Sequence, residues 1–403
     1  MATRIVQIDL AREVVPVGGL DGYQYIWIFV RHGRRPLGWV RCPRQAVGQQ
    51  LLPQTIRMLV ADQLGIHVFD SLLAGPPASP AYAPPISVIV CTRDHPQQLD
   101  RQLQSLMKLL YPRFEVVVVD NAPKDEQTRL VCQRYPSIRY LLEPQPGLDY
   151  ARNTGWRCAA HDLVAYTDDD ATVDPHWLTA IGDEFQNPDV QCVTGLTLPL
   201  ELETEAQEWF EVYGGFCRGF VRRVHSRGPW STLFPLGAGH FGSGVNMALR
   251  KSLLEQTGGF DNALDTGSLT RGGGDLDIFV RAIKAGTLVY QPAALAWHEH
   301  RRTLPQLQRQ MFDYGYGYFA FLTKYEQHDP ELATYATAMK KTWPRYWGWR
   351  RLVRNLKLAL RWRPHFPINL IVREMLGFAR GSPSYARSVA AVREAAAKQG
   401  QQT

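Results

Sequence analysis

Four apolar runs between residues 86 and 170 constrain this chain most: ISVIVCT, FEVVVVD, IRYLLEP and LVAYTDDD. Each is short, bounded by turn residues and nearly continuous in its hydrophobicity, as expected of a strand buried on both faces of a parallel sheet. Helix-compatible stretches separate them. In PQQLDRQLQSLMKLL, for example, Leu99, Leu103, Leu106 and Leu110 recur on one helical face. The alternation predicts an α/β layer architecture with a mainly parallel sheet flanked by helices, in which ligands sit at the carboxyl ends of the strands. Asp94, Asp120, Asp168 and Asp170 all fall at or just past those ends.

The last run ends on three consecutive carboxylates. In an extended chain Asp168 and Asp170 project to one side and Asp169 to the other. Two carboxylates on one side of a strand end make a hard-oxygen site for Mg²⁺ or Mn²⁺, which would relieve their repulsion. The other reading is a solvated acidic turn, with Asp174 before Pro175 capping the next helix.

At 403 residues the chain is long enough for two or three cores. Residues 1–71 read as a small α+β unit: YQYIWIFV and RPLGWVRC are strand-like, and LLPQTIRMLVADQLG has helical spacing. The Pro/Ala-rich stretch 72–85 suits a linker. Residues 86–328 hold the α/β pattern, and 329–403 read as a basic helical extension. The formal net charge of +7 favours an anionic partner. Six cysteines without a CxxC pair fit reduced thiols. Arg4, Asp9, Arg12 and Glu13 interrupt any signal-peptide core, and no apolar run approaches the roughly 18 residues of a membrane span. A cytoplasmic protein, soluble or peripherally attached to the inner face of the membrane, is expected.

An ordered set of motifs, ISVIVCTRDHP, FEVVVVDNAP, GLDYARNTG, AYTDDDATVDPHWL, GSGVNMALRKSLLEQTGGFD, GGGDLDIFVRAIKAG and AWHEHRR, resembles family 2 glycosyltransferases of the GT-A fold over roughly residues 84–325, about 60% of the chain. The resemblance implies an inverting, metal-dependent transferase that moves a sugar from a nucleoside diphosphate, with UDP-sugar as the leading donor, to a hydroxyl of a glycan or lipid-linked saccharide. It also implies roles for residues. Thr92, Arg93 and Asp94 would line the nucleotide, Asp120 would accept from its base, and Arg152 would contact it. Asp168 would lie nearer the ribose, and Asp170 would hold Mn²⁺ or Mg²⁺. Such an ion is a Lewis acid for the diphosphate leaving group.

Family members commonly carry two adjacent acids where this chain has Gly274 and Asp275, so the resemblance assigns the general base to Asp275. Capping of the helix LDIFVRAIKAG is the plainer role for Asp275 or Asp277. His298 is the implied further metal ligand, with His300, Arg301 and Arg302 as candidates for the diphosphate or for structure. The segment GAGHFG fits the dinucleotide fingerprint GxGxxG by letter, but Pro235 and the lack of a β-branched run before it remove the required strand. The Gly-rich run 261–274 reads as a mobile loop beside the base. Within 344–380 nine Arg or Lys stand against Glu374 alone. Leu352, Leu356 and Leu360 form a stripe there, with Arg350, Arg354, Lys357 and Arg361 around the helix and Trp347, Trp349 and Trp362 nearby. This suits an anionic membrane surface, or equally a packed helix with its basic side in water. The tail 390–403 reads as frayed.

Rival readings are a nucleotidyltransferase, which lacks its Gly-rich basic loop after the first strand, and a non-catalytic sugar- or nucleotide-binding module. No nucleic-acid reading motif is present. The sequence leaves the oligomeric state open.

Overall fold

In a computed structural model, which describes residues 2–75, 82–361 and 368–400, an amino-terminal unit precedes the α/β region. Strands β1 (Thr3–Asp9), β2 (Tyr25–His32) and β3 (Arg35–Pro43) form one sheet, with β1 parallel to β2 and β3 antiparallel to it. Helix α1 (Pro53–Leu73) buries Ile56, Val60 and Leu64 and runs two residues past the expected boundary at 71. The β2 side chain Phe29 joins Leu196, Leu198, Leu295 and Trp297 in one buried cluster. Arg31 Nη1 lies 2.5 Å from Asp174 Oδ2, so this sheet is bolted to the next region by both burial and charge. Part of the expected linker, residues 76–81, lies outside the described residues.

The four apolar runs become β4 (Ile86–Thr92), β5 (Phe114–Asn121), β6 (Ile138–Glu143) and β7 (Leu163–Asp168), separated by α2 (Pro96–Leu106), α3 (Gln127–Cys132) and α4 (Leu148–Cys158). Their pairings are all parallel. Side chains alternate between two cores: Ile89, Val117, Val119 and Val164 face α4, whereas Val88, Val90, Val118 and Ala165 face α2. At Gly155 of α4 a Cβ would come within 2.5 Å of Ile89, so only glycine lets this helix lie so near the sheet.

Beyond β7 the sheet continues with β8 (Ala171–Val173), β9 (Val190–Pro199), β10 (Arg223–Ser226), β11 (Asn246–Arg250) and β12 (Thr287–His298). The strand order is β10-β12-β9-β11-β7-β4-β5-β6, with β8 on β12. The sheet is mainly parallel, as expected, with β8, β10 and β11 as the strands that run against the rest. Strand β11 runs antiparallel to both β7 and β9, and β8 and β10 run antiparallel to β12. A buried antiparallel strand such as NMALR carries the same continuous apolar pattern as a parallel one, so its direction is invisible in the sequence.

The remaining helices are α5 (Trp177–Glu184), α6 (Glu205–Tyr213), α7 (Lys251–Thr257), α8 (Gly274–Ala285), α9 (Leu304–His328), α10 (Ala333–Arg361), α11 (Ile368–Arg380) and α12 (Ser384–Gly400). Helices α6 and α9 open with complete capping boxes, Thr204 with Gln207 and Thr303 with Gln306. The segment GAGHFG holds a short 3₁₀ turn, Ala238–His240, with no strand leading into it. Helix α12 extends to Gly400, where a frayed tail was expected; residues 401–403 lie outside the described residues. So do the side chains of Trp347, Leu352, Arg354, Leu356, Lys357, Leu360, Arg361 and Trp362, on which the expected basic stripe depends. All six cysteines are free. Among the described residues no helix is long and apolar enough to cross a membrane.

Candidate active site

Strand register gathers the first acids. Thr92 at the end of β4 pairs with Asp120 of β5, and Cys91 pairs with Asp168 of β7. Asp120 is fully buried. Its Oδ2 accepts from the Tyr140 hydroxyl at 2.9 Å, while Oδ1 has no partner. Burial pushes its carboxyl up to about 6, against the pull of the Tyr140 bond. A buried carboxylate oxygen with nothing to accept is an open valence for an N–H donor.

Strand β7 ends at Asp168, and Asp169 and Asp170 lie in a turn. Strict strand alternation therefore stops one residue earlier than expected, yet the acids still part company. Asp169 is buried and accepts from Thr92 Oγ1 at 2.6 Å, with His95 Nδ1 at 3.2 Å. Thr92 thus turns its hydroxyl to the middle acid. Asp170 lies instead 3.3 Å from His298 Nε2 and 3.8 Å from Arg301. Burial and the Asp170 charge push the Asp168 carboxyl up to about 7, with Arg152 opposing. Asp94 sits just past β4 with φ of 59°. It accepts from the Lys124 backbone at 3.0 Å and pairs with its ammonium at 2.9 Å, contacts that hold its carboxyl below the usual range. Arg93 is exposed.

His298 closes β12. Its Nδ1 lies 3.1 Å from Nδ1 of His300, whose Nε2 lies 2.8 Å from Glu211 Oε1 on α6. The Glu211 carboxylate can only accept, so His300 donates from Nε2 and receives at Nδ1. In the tautomer where His300 accepts at Nδ1, His298 donates from Nδ1 and turns the lone pair of Nε2 toward Asp170. Burial pushes the His298 imidazole down to about 4, so the ring is neutral near pH 7. Two electron-rich atoms thus face each other across 3.3 Å, which is the donor set of a divalent cation. Among the described residues no group of three or more His, Cys, Asp or Glu side chains stands ready to hold a metal.

Asp275 lies in the first turn of α8. Its Oδ2 accepts from the Gly244 amide at 3.0 Å and its Oδ1 from the Leu276 amide at 2.8 Å. Burial, and then the Asp265 charge, push its carboxyl upward, which makes it a stronger base. Asp277, two residues on, has another fate. Arg281 at 2.6 Å and Lys324 at 2.8 Å outweigh its burial and hold it low, so it pins α8 to α9. Neither acid is the N-cap, which is Gly273 with φ of 104°.

Arg152, expected at the nucleotide, is buried and directs Nη1 to Asp149 at 2.9 Å and Asp265 at 2.5 Å. Its guanidinium is an interior strut. The run 261–274, expected as a mobile loop, is packed: Ala263 and Leu264 are buried beside Ala320 and Tyr385, and Thr266 accepts from the Leu148 amide. A Cβ on Gly274 would meet the carboxylates of Asp149 and Asp265 at 2.3 and 2.6 Å. Asp149, Asp265, Glu211 and His95 were not singled out in the sequence. Asp149 was readable as the i−3 partner of Arg152 on one helix. Asp265 and Glu211 meet their partners across 113 and 89 residues, and no local pattern marks such pairs.

Comparison with known proteins gives this geometry a context. Residues 87–258 match the model of glycosyl transferase family 2. The pre-mycofactocin glycosyltransferase of Mycobacterium tuberculosis is 28% identical over 259 residues, covering 62% of this chain and 50% of that protein. The glucosyl-dolichyl phosphate glucuronosyltransferase of Haloferax volcanii is 26% identical over 188 residues, covering 44% and 56%. The chain thus spans about half the length of these curated relatives. A solved mannosyltransferase of Pyrobaculum calidifontis, in complex with GDP-Man and Mn²⁺, superposes with a TM-score of 0.49 at 18% identity, covering 81% of this chain and 97% of that one. The match runs from β4 to α7, the strands and turns that present Asp120, Asp168 and Asp170, so this stretch of the chain is similar to glycosyl transferase family 2.

Proposed function

We propose that the protein is an inverting, metal-dependent glycosyltransferase that uses a nucleoside diphosphate sugar and a hydroxyl acceptor on a glycan or lipid-linked saccharide. The observation that carries this reading is the meeting of Asp170 with the neutral His298 on the sheet that also presents Asp120. Asp120 Oδ1 would accept from the base. Uracil offers an imide N–H to such an oxygen, whereas cytosine offers an acceptor there, which favours UDP over a cytidine donor. Thr92, Arg93 and Asp94 would flank the nucleotide, with Lys124 bringing positive charge beside Asp94. Asp168 would face the ribose.

Asp170 and His298 Nε2 would hold a Mn²⁺ or Mg²⁺ ion, which would neutralise the diphosphate as it leaves. Two protein donors suffice where phosphate oxygens complete the shell. Arg301, at 3.8 Å from Asp170, would add charge to the leaving group. Asp275 would take the proton from the acceptor hydroxyl as that oxygen attacks the sugar carbon opposite the departing diphosphate. Its two amide donors fix the carboxylate, while Asp265 and burial raise its affinity for the proton. Arg152 would act at one remove by holding Asp265 in place.

The test is Asp275→Asn. Turnover should fall by roughly a hundredfold to ten-thousandfold, with protection against heat by the donor unchanged. Turnover within about twofold of wild type would remove Asp275 as the base.

A further inference from the structure

Helix α11 is apolar on two opposite faces, and only one of them is covered. Leu370, Ile371 and Phe378 are buried in the protein, and the crossing with α9 is tight enough that a Cβ at Gly315 or Gly377 would meet the other helix's backbone at 2.0 Å. On the far side Ile368, Val372 and Leu376 recur every four residues and are 59%, 49% and 40% exposed. A surface helix ordinarily turns its polar stripe outward. Arg373 and Arg380 are exposed along the flank of this outward stripe. Helix α10 lies alongside, its Trp343 stacked on Phe378 with ring centroids 4.3 Å apart, and it adds exposed Arg345, Arg350 and Trp349, the last 67% exposed. The acid of this region, Glu374, is buried against Tyr213.

We infer that the outward face of α11 seats the protein on an anionic lipid surface, with Ile368, Val372 and Leu376 entering the interface and Arg373 and Arg380 meeting lipid phosphates. Charge selects this occupant. A symmetric contact with a second copy would bring the same basic residues against themselves, whereas an anionic bilayer complements them. The position also suits the site. Helix α9 abuts Gly272 and Gly273 through Gly317, just before Asp275, so a seated α11 sets the base two helices, α11 and α9, from the lipid. Resting on the transferase reading above, this narrows the acceptor to a lipid-linked saccharide presented at that surface.

Flotation of the full chain with vesicles of phosphatidylcholine, or of phosphatidylcholine with about 30% phosphatidylglycerol, tests the inference. Binding should appear with the anionic vesicles and weaken with salt. The double variant Val372→Glu/Leu376→Glu should lower partitioning by roughly a hundredfold, and Arg373→Glu/Arg380→Glu by at least tenfold or so. Both should retain the wild-type unfolding midpoint and donor protection, which separates loss of docking from loss of the transferase site. Equal partitioning of Val372→Glu/Leu376→Glu and wild type would overturn the proposal. So would absence of vesicle binding together with a dimer, seen by light scattering, that these substitutions dissolve.

Discussion

At the ends of β5 and β7, Asp120 and Asp168 leave room for a ligand, whereas around β12 and α8 the acids are already engaged by the protein itself. Asp120 keeps a buried oxygen without a partner, and burial, with the Asp170 charge added, pushes the Asp168 carboxyl up to about 7. In the other half, both oxygens of Asp275 accept backbone amides, Asp277 is clamped by Arg281 and Lys324, and Glu211 orients His300. On the proposed reading a donor would complete the first half, whereas the second half is set in advance. Stored repulsion in one half and prior satisfaction in the other are the two ways a fold prepares a charged site.

The comparison breaks most readily at Asp277. If that acid is a clamp, Asp277→Ala leaves Arg281 and Lys324 facing a hole and should cost about 3 kcal/mol of stability, read as a lowered denaturation midpoint. An unchanged midpoint would mean that the second half is not held together by its charges. A smaller effect is expected from Glu211→Ala. Without its acceptor, His300 no longer has a fixed tautomer, and His298 loses the partner that aims Nε2 at Asp170. Affinity for Mn²⁺ alone, measured by electron paramagnetic resonance, should fall about 10- to 100-fold, while Glu211→Gln, which keeps an acceptor oxygen, should retain most of it. Equal affinity in Glu211→Ala and wild type would show that the chain of bonds from Glu211 orients nothing.

Asp120→Asn sharpens the contrast from the other side. The folded-state value of about 6 stands above the ordinary carboxylate value of about 3.9. Protonated Asp120 therefore favours folding at about pH 4 and below, and that contribution is lost as the pH rises through 6. Removing the charge should raise stability at pH 8 by at most about 3 kcal/mol and leave it unchanged near pH 4. Affinity for a uridine diphosphate donor should fall roughly tenfold over the same range. A destabilised Asp120→Asn at pH 8 would show that the open valence carries no strain.

How far the sequence revealed all this follows the same division. The parallel half was legible because its strands are continuous apolar runs and its acids sit at their ends, so Asp120, Asp168 and Asp170 fell out of local pattern. The second half was legible only in part. His298 and Asp275 came from motifs, but the direction of β11 and the bonds from Glu211 and Asp265 depend on chain crossings that no local spacing records. Arg152 shows the limit clearly. Its motif is recognisable, yet the two carboxylates that turn it into an interior strut come from positions 149 and 265, one local and one distant.

The most direct test of the donor site is protection against heat by UDP-, GDP-, dTDP- and CMP-linked sugars, with and without Mn²⁺, on wild type and on Asp170→Ala. The account predicts a rise in the unfolding midpoint that a UDP-sugar produces only with the metal and that Asp170→Ala abolishes. A metal-independent rise, or one that survives the substitution, would contradict a cation held between Asp170 and His298.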